Sequence, residues 1–181
     1  METETRDRGN FGKTFGSFDR QERTFKKTPT YEKKRVTTSI DSVCKELLMN
    51  IVGYDRRKSL FKELTNAVNL YSSVYNEIGE EIPDKTKFIE NAFETVEGYD
   101  TSVINKDVGI ENKKSSTKIS KSTKSLLDEI VGFDRRKSIY KEVNSAVYLY
   151  SSVYQLLGEE TPDKTDYILD IIDQYKSSQS K

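Results

Sequence analysis

The chain has 181 residues, 30 lysines and arginines against 30 aspartates and glutamates, 34% hydrophobic residues and a mean hydropathy of −0.76. That leaves room for one ordinary domain or two small ones, with some segments outside any core, and no run nears the roughly 18 apolar residues of a membrane helix. With no histidine and a single cysteine, Cys44, an intramolecular disulfide, a cysteine zinc cluster and every histidine-based nucleophile or base are excluded. The first ten residues, METETRDRGN, lack the apolar run of a signal peptide, so an intracellular, cytoplasmic protein is expected.

Residues 1–36 read as a disordered basic arm. Arg6, Arg8, Lys13, Arg20, Arg23, Lys26, Lys27, Lys33, Lys34 and Arg35 interleave with Phe11, Phe15, Phe18, Phe25 and Tyr31. Ten cations against six carboxylates leave this arm about four charges positive and the remainder of the chain equally negative. Cations spaced with aromatic rings suit single-stranded nucleic acid, because cations meet phosphates while rings stack on bases.

A first helical repeat is expected over 37–97. Ile40, Val43, Cys44, Leu47, Leu48, Ile51 and Val52 share one face of a first helix that Gly53 ends. The second helix is expected from about Asp55 to Ile78, roughly 36 Å long. Its apolar seam is Leu60, Leu64, Ala67, Tyr71, Val74 and Ile78, widened by Phe61, Val68 and Tyr75. Gly79 stops it, Pro83 suits a first helical turn, and a third helix buries Phe88, Ile89, Ala92, Phe93 and Val96.

Residues 98–121 are polar and aperiodic and read as a flexible linker, followed by a second repeat over 122–177 and a disordered tail, 178–181. Residues 51–89 align without a gap onto 130–168, an offset of 79, with about two-thirds of the pairs identical. The expected fold is therefore all-α: a three-helix, short-long-short unit duplicated in tandem and packed as a pseudo-twofold six-helix body. In the second copy the long-helix seam is Ile139, Val143, Ala146, Tyr150, Val153 and Leu157.

Asp-Arg-Arg-Lys-Ser occurs twice, at 55–59 and 134–138. Cations at a helix start oppose its dipole, so something is expected to offset them. Arg56, Arg57, Arg135 and Arg136 are candidates to hold phosphate. The structural alternative pairs these segments with the Gly-Glu-Glu ends, Glu80 and Glu81 or Glu159 and Glu160, across antiparallel long helices. The motif also resembles a basophilic kinase site, with Ser59 or Ser138 as acceptor. Tyr71, Tyr75, Tyr150 and Tyr154 are expected in the core or interface with their hydroxyls at its edge.

The short-long-short unit, twice repeated behind a basic tail, is similar in outline to histone-fold doublets. The expected connections of only Gly53-Tyr54 and Gly132-Phe133, and the net negative body, depart from that pattern. The favoured reading is a non-catalytic helical assembly or scaffold protein whose arm contacts nucleic acid, RNA or single strands first, without cofactor or metal. Its rivals are a protein-interaction module with an inert tail and, third, a histone-like doublet or a carboxylate-based enzyme.

Overall fold

A computed structural model describes residues 35–53, 55, 58–104, 113–132, 137–158 and 165–180. In chain order these form β1 (Arg35–Asp41), α1 (Ser42–Val52), α2 (Leu60–Ile78), α3 (Lys85–Glu97), a 3-10 turn at Thr101–Val103, β2 (Lys114–Ser120), α4 (Lys121–Val131), α5 (Ile139–Leu157) and α6 (Thr165–Gln179). The described part is thus mostly helical with one small sheet, and all of it lies in one compact unit.

The helical expectation holds, and the sheet is an addition to it. Arg35 and Val36, assigned to the arm, begin β1, and Ile40, assigned to the first helix, lies in the same strand. Part of the expected 98–121 linker is β2. Alternation explains both strands: Val36, Thr38 and Ile40 share one face of β1, and Ser115, Thr117 and Ile119 share one face of β2. Ile40 and Ile119 are fully buried beneath the ribbon. The strands pair antiparallel, from Arg35 opposite Ser120 through Thr38 opposite Thr117 to Asp41 opposite Lys114. Each strand runs straight into a helix, since Asp41 and Ser120 are also the N-caps of α1 and α4.

α1 ends at Gly53 and α4 at Gly132, whose positive φ of 52° and 51° a side-chain-bearing residue adopts only with strain. The long helices start later than periodicity suggested. Ser59 and Ser138 accept the amide protons of Lys62 and Lys141, so α2 and α5 begin at Leu60 and Ile139. Lys58 therefore precedes its helix, and the expected two-residue connection to α2 runs over 53–59. Asp84, by the same capping logic, starts α3, so Pro83 stands before the cap and not in the first turn. Helix α6 continues to Gln179, past the expected boundary at 177.

The core lies between α2 and α5. Leu64, Ala67, Val68 and Val74 on one helix, and Val143, Ala146, Val147 and Val153 on the other, are fully buried. Helices α3 and α6 close one side, where the Phe88 and Tyr175 rings meet edge-on at 5.2 Å and Phe93 lies 6.3 Å from Tyr167.

Candidate nucleic-acid interface

Of the residues proposed above to touch nucleic acid, Arg6, Arg8, Phe11, Phe15, Phe18, Arg20, Arg23, Lys26, Lys27, Lys33 and Lys34 lie outside the described residues, as do Arg56, Arg57, Arg135 and Arg136. Arg35 is the one that falls within them. It is exposed at the start of β1, its guanidinium carbon 4.7 Å from the centre of the Phe61 ring. At the start of β2, Lys114 lies 4.8 Å over the Tyr140 ring. Phe61 and Tyr140 stand in the first turns of α2 and α5, so each end of the ribbon is seated against the start of a long helix.

The pleat that buries Ile40 and Ile119 turns the alternate residues outward. These are Arg35, Thr37 and Ser39 on β1, and Lys114, Ser116 and Lys118 on β2. All are exposed except Ser39, which is half-buried. These six residues carry three cations and three hydroxyls; Asp41 and Ser120 fall in step with them at the strand ends, the first half-buried and the second buried. Asp41, opposite Lys114 at the ribbon's end, accepts hydrogen bonds from Asn144 Nδ2 at 2.7 Å and from the Tyr140 hydroxyl. The Asp41 amide in turn donates to Asn144 Oδ1 at 3.0 Å, which ties β1 to α5. The Asp41 hydrogen bond raises the Tyr140 phenol above its ordinary pKa, so the hydroxyl keeps its proton as a donor.

Chemically, this face offers ammonium, guanidinium and hydroxyl donors in two rows, held by a packed core. Sequence reasoning found Arg35 but missed Thr37, Ser39, Lys114, Ser116 and Lys118. The signal was present: carrying the 79-residue offset upstream lays Arg35–Asp41 on Lys114–Ser120, two short alternating segments ahead of two capped helices.

Beneath the ribbon, polar side chains are used for holding α2 to α5. The Tyr71 hydroxyl donates to Glu142 Oε2 at 2.8 Å, and the Tyr150 hydroxyl donates to Glu63 Oε2 at 2.6 Å. All four residues are buried, so these tyrosine hydroxyls are interior and not at the edge. Burial, with the neighbouring glutamate second, drives both phenols well above their ordinary range. Lys58 Nζ donates to the Tyr154 hydroxyl at 3.0 Å, and Lys137 Nζ to the Tyr75 hydroxyl at 2.6 Å.

Lys137 also pairs with Glu80 Oε1 at 2.7 Å. This is one of the pairings expected between a basic segment and a Gly-Glu-Glu end, carried by the lysine; the arginines and Glu159 and Glu160 lie outside the described residues. Cys44 is buried, and burial pushes its thiol up to about 12.

A cleft of about 320 Å³ opens beside this interior, lined by Tyr71, Lys85, Ser145, Tyr148 and Ser152 among others. Its polar groups are turned on the protein itself: Lys85 Nζ donates to the Ile82 carbonyl at 2.9 Å and Ser152 donates to Glu90 at 3.0 Å. No helix among the described residues is long and apolar enough to cross a membrane. Compared with protein-family models, curated proteins and solved structures, the chain matches none.

Proposed function

We propose that the chain is a non-catalytic, single-chain pseudo-dimer that presents its β-ribbon to the major groove of duplex DNA. The observation that carries this reading is the ribbon's outer face, whose exposed residues are cations and hydroxyls without an apolar group. Its one acid, Asp41, is held by Asn144 and Tyr140, and the face is backed by the buried Ile40 and Ile119. B-DNA's major groove, about 12 Å wide, admits a two-stranded ribbon whose strands are about 4.8 Å apart. Arginine, lysine, serine and threonine are side chains that hydrogen-bond base edges there. A protein-docking face of the same area would need apolar anchors, and this one has none.

Two sets of observations support tandem duplication with pseudo-twofold packing. The ribbon pairs each position with the counterpart of its mirror position, with Thr38 facing its own counterpart Thr117. The helix contacts recur with partners exchanged: Tyr71 to Glu142 and Tyr150 to Glu63, Lys58 to Tyr154 and Lys137 to Tyr75. Twofold symmetry of this kind matches the local dyad of a DNA duplex. The non-catalytic reading is supported by the state of the nucleophiles, because the thiol and the interior phenols are held protonated and occupied.

Within this proposal the arm supplies sequence-independent charge. Arg56, Arg57, Arg135 and Arg136 are candidates for phosphate contact, since each pair precedes a helix whose start abuts a ribbon end. The ribbon also shifts the favoured partner from single strands or RNA to duplex DNA, because it offers no exposed ring on which bases stack.

Fluorescence anisotropy with labelled duplex, single-stranded DNA and RNA tests the reading on the full-length chain. Lys118→Ala with Thr37→Ala and Ser116→Ala is expected to abolish the preference for duplex while leaving the melting temperature unchanged. Deleting residues 1–34 is expected to weaken all nucleic acids alike and to flatten the salt slope by about 0.9 for each phosphate the arm had neutralised. Tighter binding of RNA than duplex, or duplex preference that survives the ribbon substitutions, would overturn the ribbon as the reader. Failure to bind any of the three would leave protein association as the body's role.

A further inference from the structure

We infer that the DNA site is asymmetric, with two unlike half-sites, and that Lys118 sets the difference by demanding a guanine in one of them. This rests on the ribbon reading above and goes beyond it to the kind of sequence bound. The ribbon is centred on Thr38 opposite Thr117, so each outward residue on β1 has one counterpart on β2 at the same distance from the centre.

Arg35 answers to Lys114, both cations, and Thr37 answers to Ser116, both hydroxyls. Ser39 answers to Lys118, a short hydroxyl against a long cation. At the strand ends Asp41 answers to Ser120, but the first is held by Asn144 and Tyr140 and the second by Thr123. Among the positions left to a ligand, the halves are therefore alike at two and unlike at one.

Lys118 is also differently placed from the other two cations of the face. Arg35 and Lys114 lie over the Phe61 and Tyr140 rings at the ribbon's ends. Lys118 stands next to the centre, exposed, opposite Thr37, and without a hydrogen-bond or ion-pair partner among the described residues. A lysine at a base edge is selective for the O6 and N7 acceptors of guanine, whereas a serine, donor and acceptor at once, accepts any of several edges. Half of the site should therefore carry a required guanine, and the mirrored position in the other half should be permissive. Binding in a single orientation follows, because turning the protein by 180° would set Ser39 against that guanine.

Selection of bound duplexes from a randomised pool by the full-length protein reads this out. The wild-type motif is expected to have a guanine on one side of its centre only. Replacing that guanine should weaken binding about tenfold, while changing the mirrored base should have little effect. Lys118→Ser is expected to make the motif symmetric and permissive, and Ser39→Lys to make it symmetric with guanine on both sides. Both substitutions fall on the ribbon's outer face, and an unchanged melting temperature confirms that each variant folds. If one variant does not fold, the other still decides. A symmetric wild-type motif, or one that either folded variant leaves unaltered, overturns the inference. Duplex binding with no enriched motif would sink this inference alone, whereas no duplex binding at all would sink the ribbon reading with it.

Discussion

The segments that align at the 79-residue offset agree at the α2–α5 junction more closely than on the outer ribbon. At the junction of α2 and α5, Glu63 and Tyr71 match Glu142 and Tyr150 without substitution, and Ala67, Val68 and Val74 match Ala146, Val147 and Val153. On the ribbon's outward face no position is identical: arginine meets lysine, threonine meets serine, and Ser39 meets Lys118. At that junction each aligned segment bonds the other, Tyr71 to Glu142 and Tyr150 to Glu63, so a change at one of these residues leaves its partner unmatched. The exposed ribbon residues make no such bond across the α2–α5 junction, so a change there needs no answering change.

Charging the interior is the most severe way to break this arrangement. Leu64 and Val143 are fully buried at the junction of the long helices. Leu64→Asp or Val143→Asp is expected to cost more than about 4 kcal/mol and to leave the chain unfolded at room temperature. Far-UV circular dichroism and thermal melting check this; a wild-type melt would mean that the α2–α5 seam faces solvent. Tyr71→Phe is a gentler probe, removing one hydroxyl and leaving the buried Glu142 carboxylate without that donor. About 1–3 kcal/mol should be lost. Tyr150→Phe should cost a similar amount, because its bond to Glu63 is the same bond with the copies exchanged. A large inequality between the two would show that the copies share sequence but not mechanics.

Those interior residues were legible before the structure because a stripe at helical spacing announces itself over many turns. Leu64, Ala67, Tyr71 and Val74 recur as Val143, Ala146, Tyr150 and Val153, and all eight are buried. The strands carried only the faint signal of the 79-residue offset, and three physical reasons hid them. Each is only seven residues long. Serine, threonine and lysine dilute the apolar alternation, so KSSTKIS reads as a polar linker. Each strand also passes into its helix without a turn, so Ile40 extends the helical pattern by one false step. Nor did Tyr71 and Tyr150 advertise their buried carboxylate partners, since the glutamates come from the opposite helix and sequence periodicity reports only one element at a time.

Alkali should weaken the same interior. Burial moves the Cys44 thiol from its ordinary 9.0 up to about 12 and drives the Tyr71 and Tyr150 phenols upward from 10.0. Each group has a folded pKa above its unfolded one, so its stabilising contribution is full below the unfolded value and is lost as pH rises toward the folded value. For Cys44 that window runs from 9.0 to about 12. Within it, one such group lowers stability by on the order of 1.4 kcal/mol per pH unit. Urea midpoints measured from pH 8 upward should be level at first and then fall, and Cys44→Ala should reduce the slope. A midpoint that stays level through pH 12 would place these groups in solvent.

The smallest expected effect separates a bond that recurs between the copies from one tied to Glu80. Lys137 donates to the Tyr75 hydroxyl and the Ile130 carbonyl, as Lys58 does to the Tyr154 hydroxyl and the Ile51 carbonyl. The Lys137–Glu80 ion pair at 2.7 Å is a further contact, and the Glu80 side chain is 69% exposed. Exposed pairs are worth little, so Glu80→Gln should cost less than about 1 kcal/mol, and high salt should erase most of that. Lys137→Met removes the recurring bonds as well and should cost more, with a remainder that salt does not screen. Lys58→Met, which removes the matching bonds to Tyr154 and Ile51, should also cost more than Glu80→Gln. Urea denaturation of the three variants at low and high salt makes the comparison. Should Glu80→Gln cost as much as Lys137→Met, the ion pair, and not the bonds common to both copies, would be what anchors the basic segment ahead of α5.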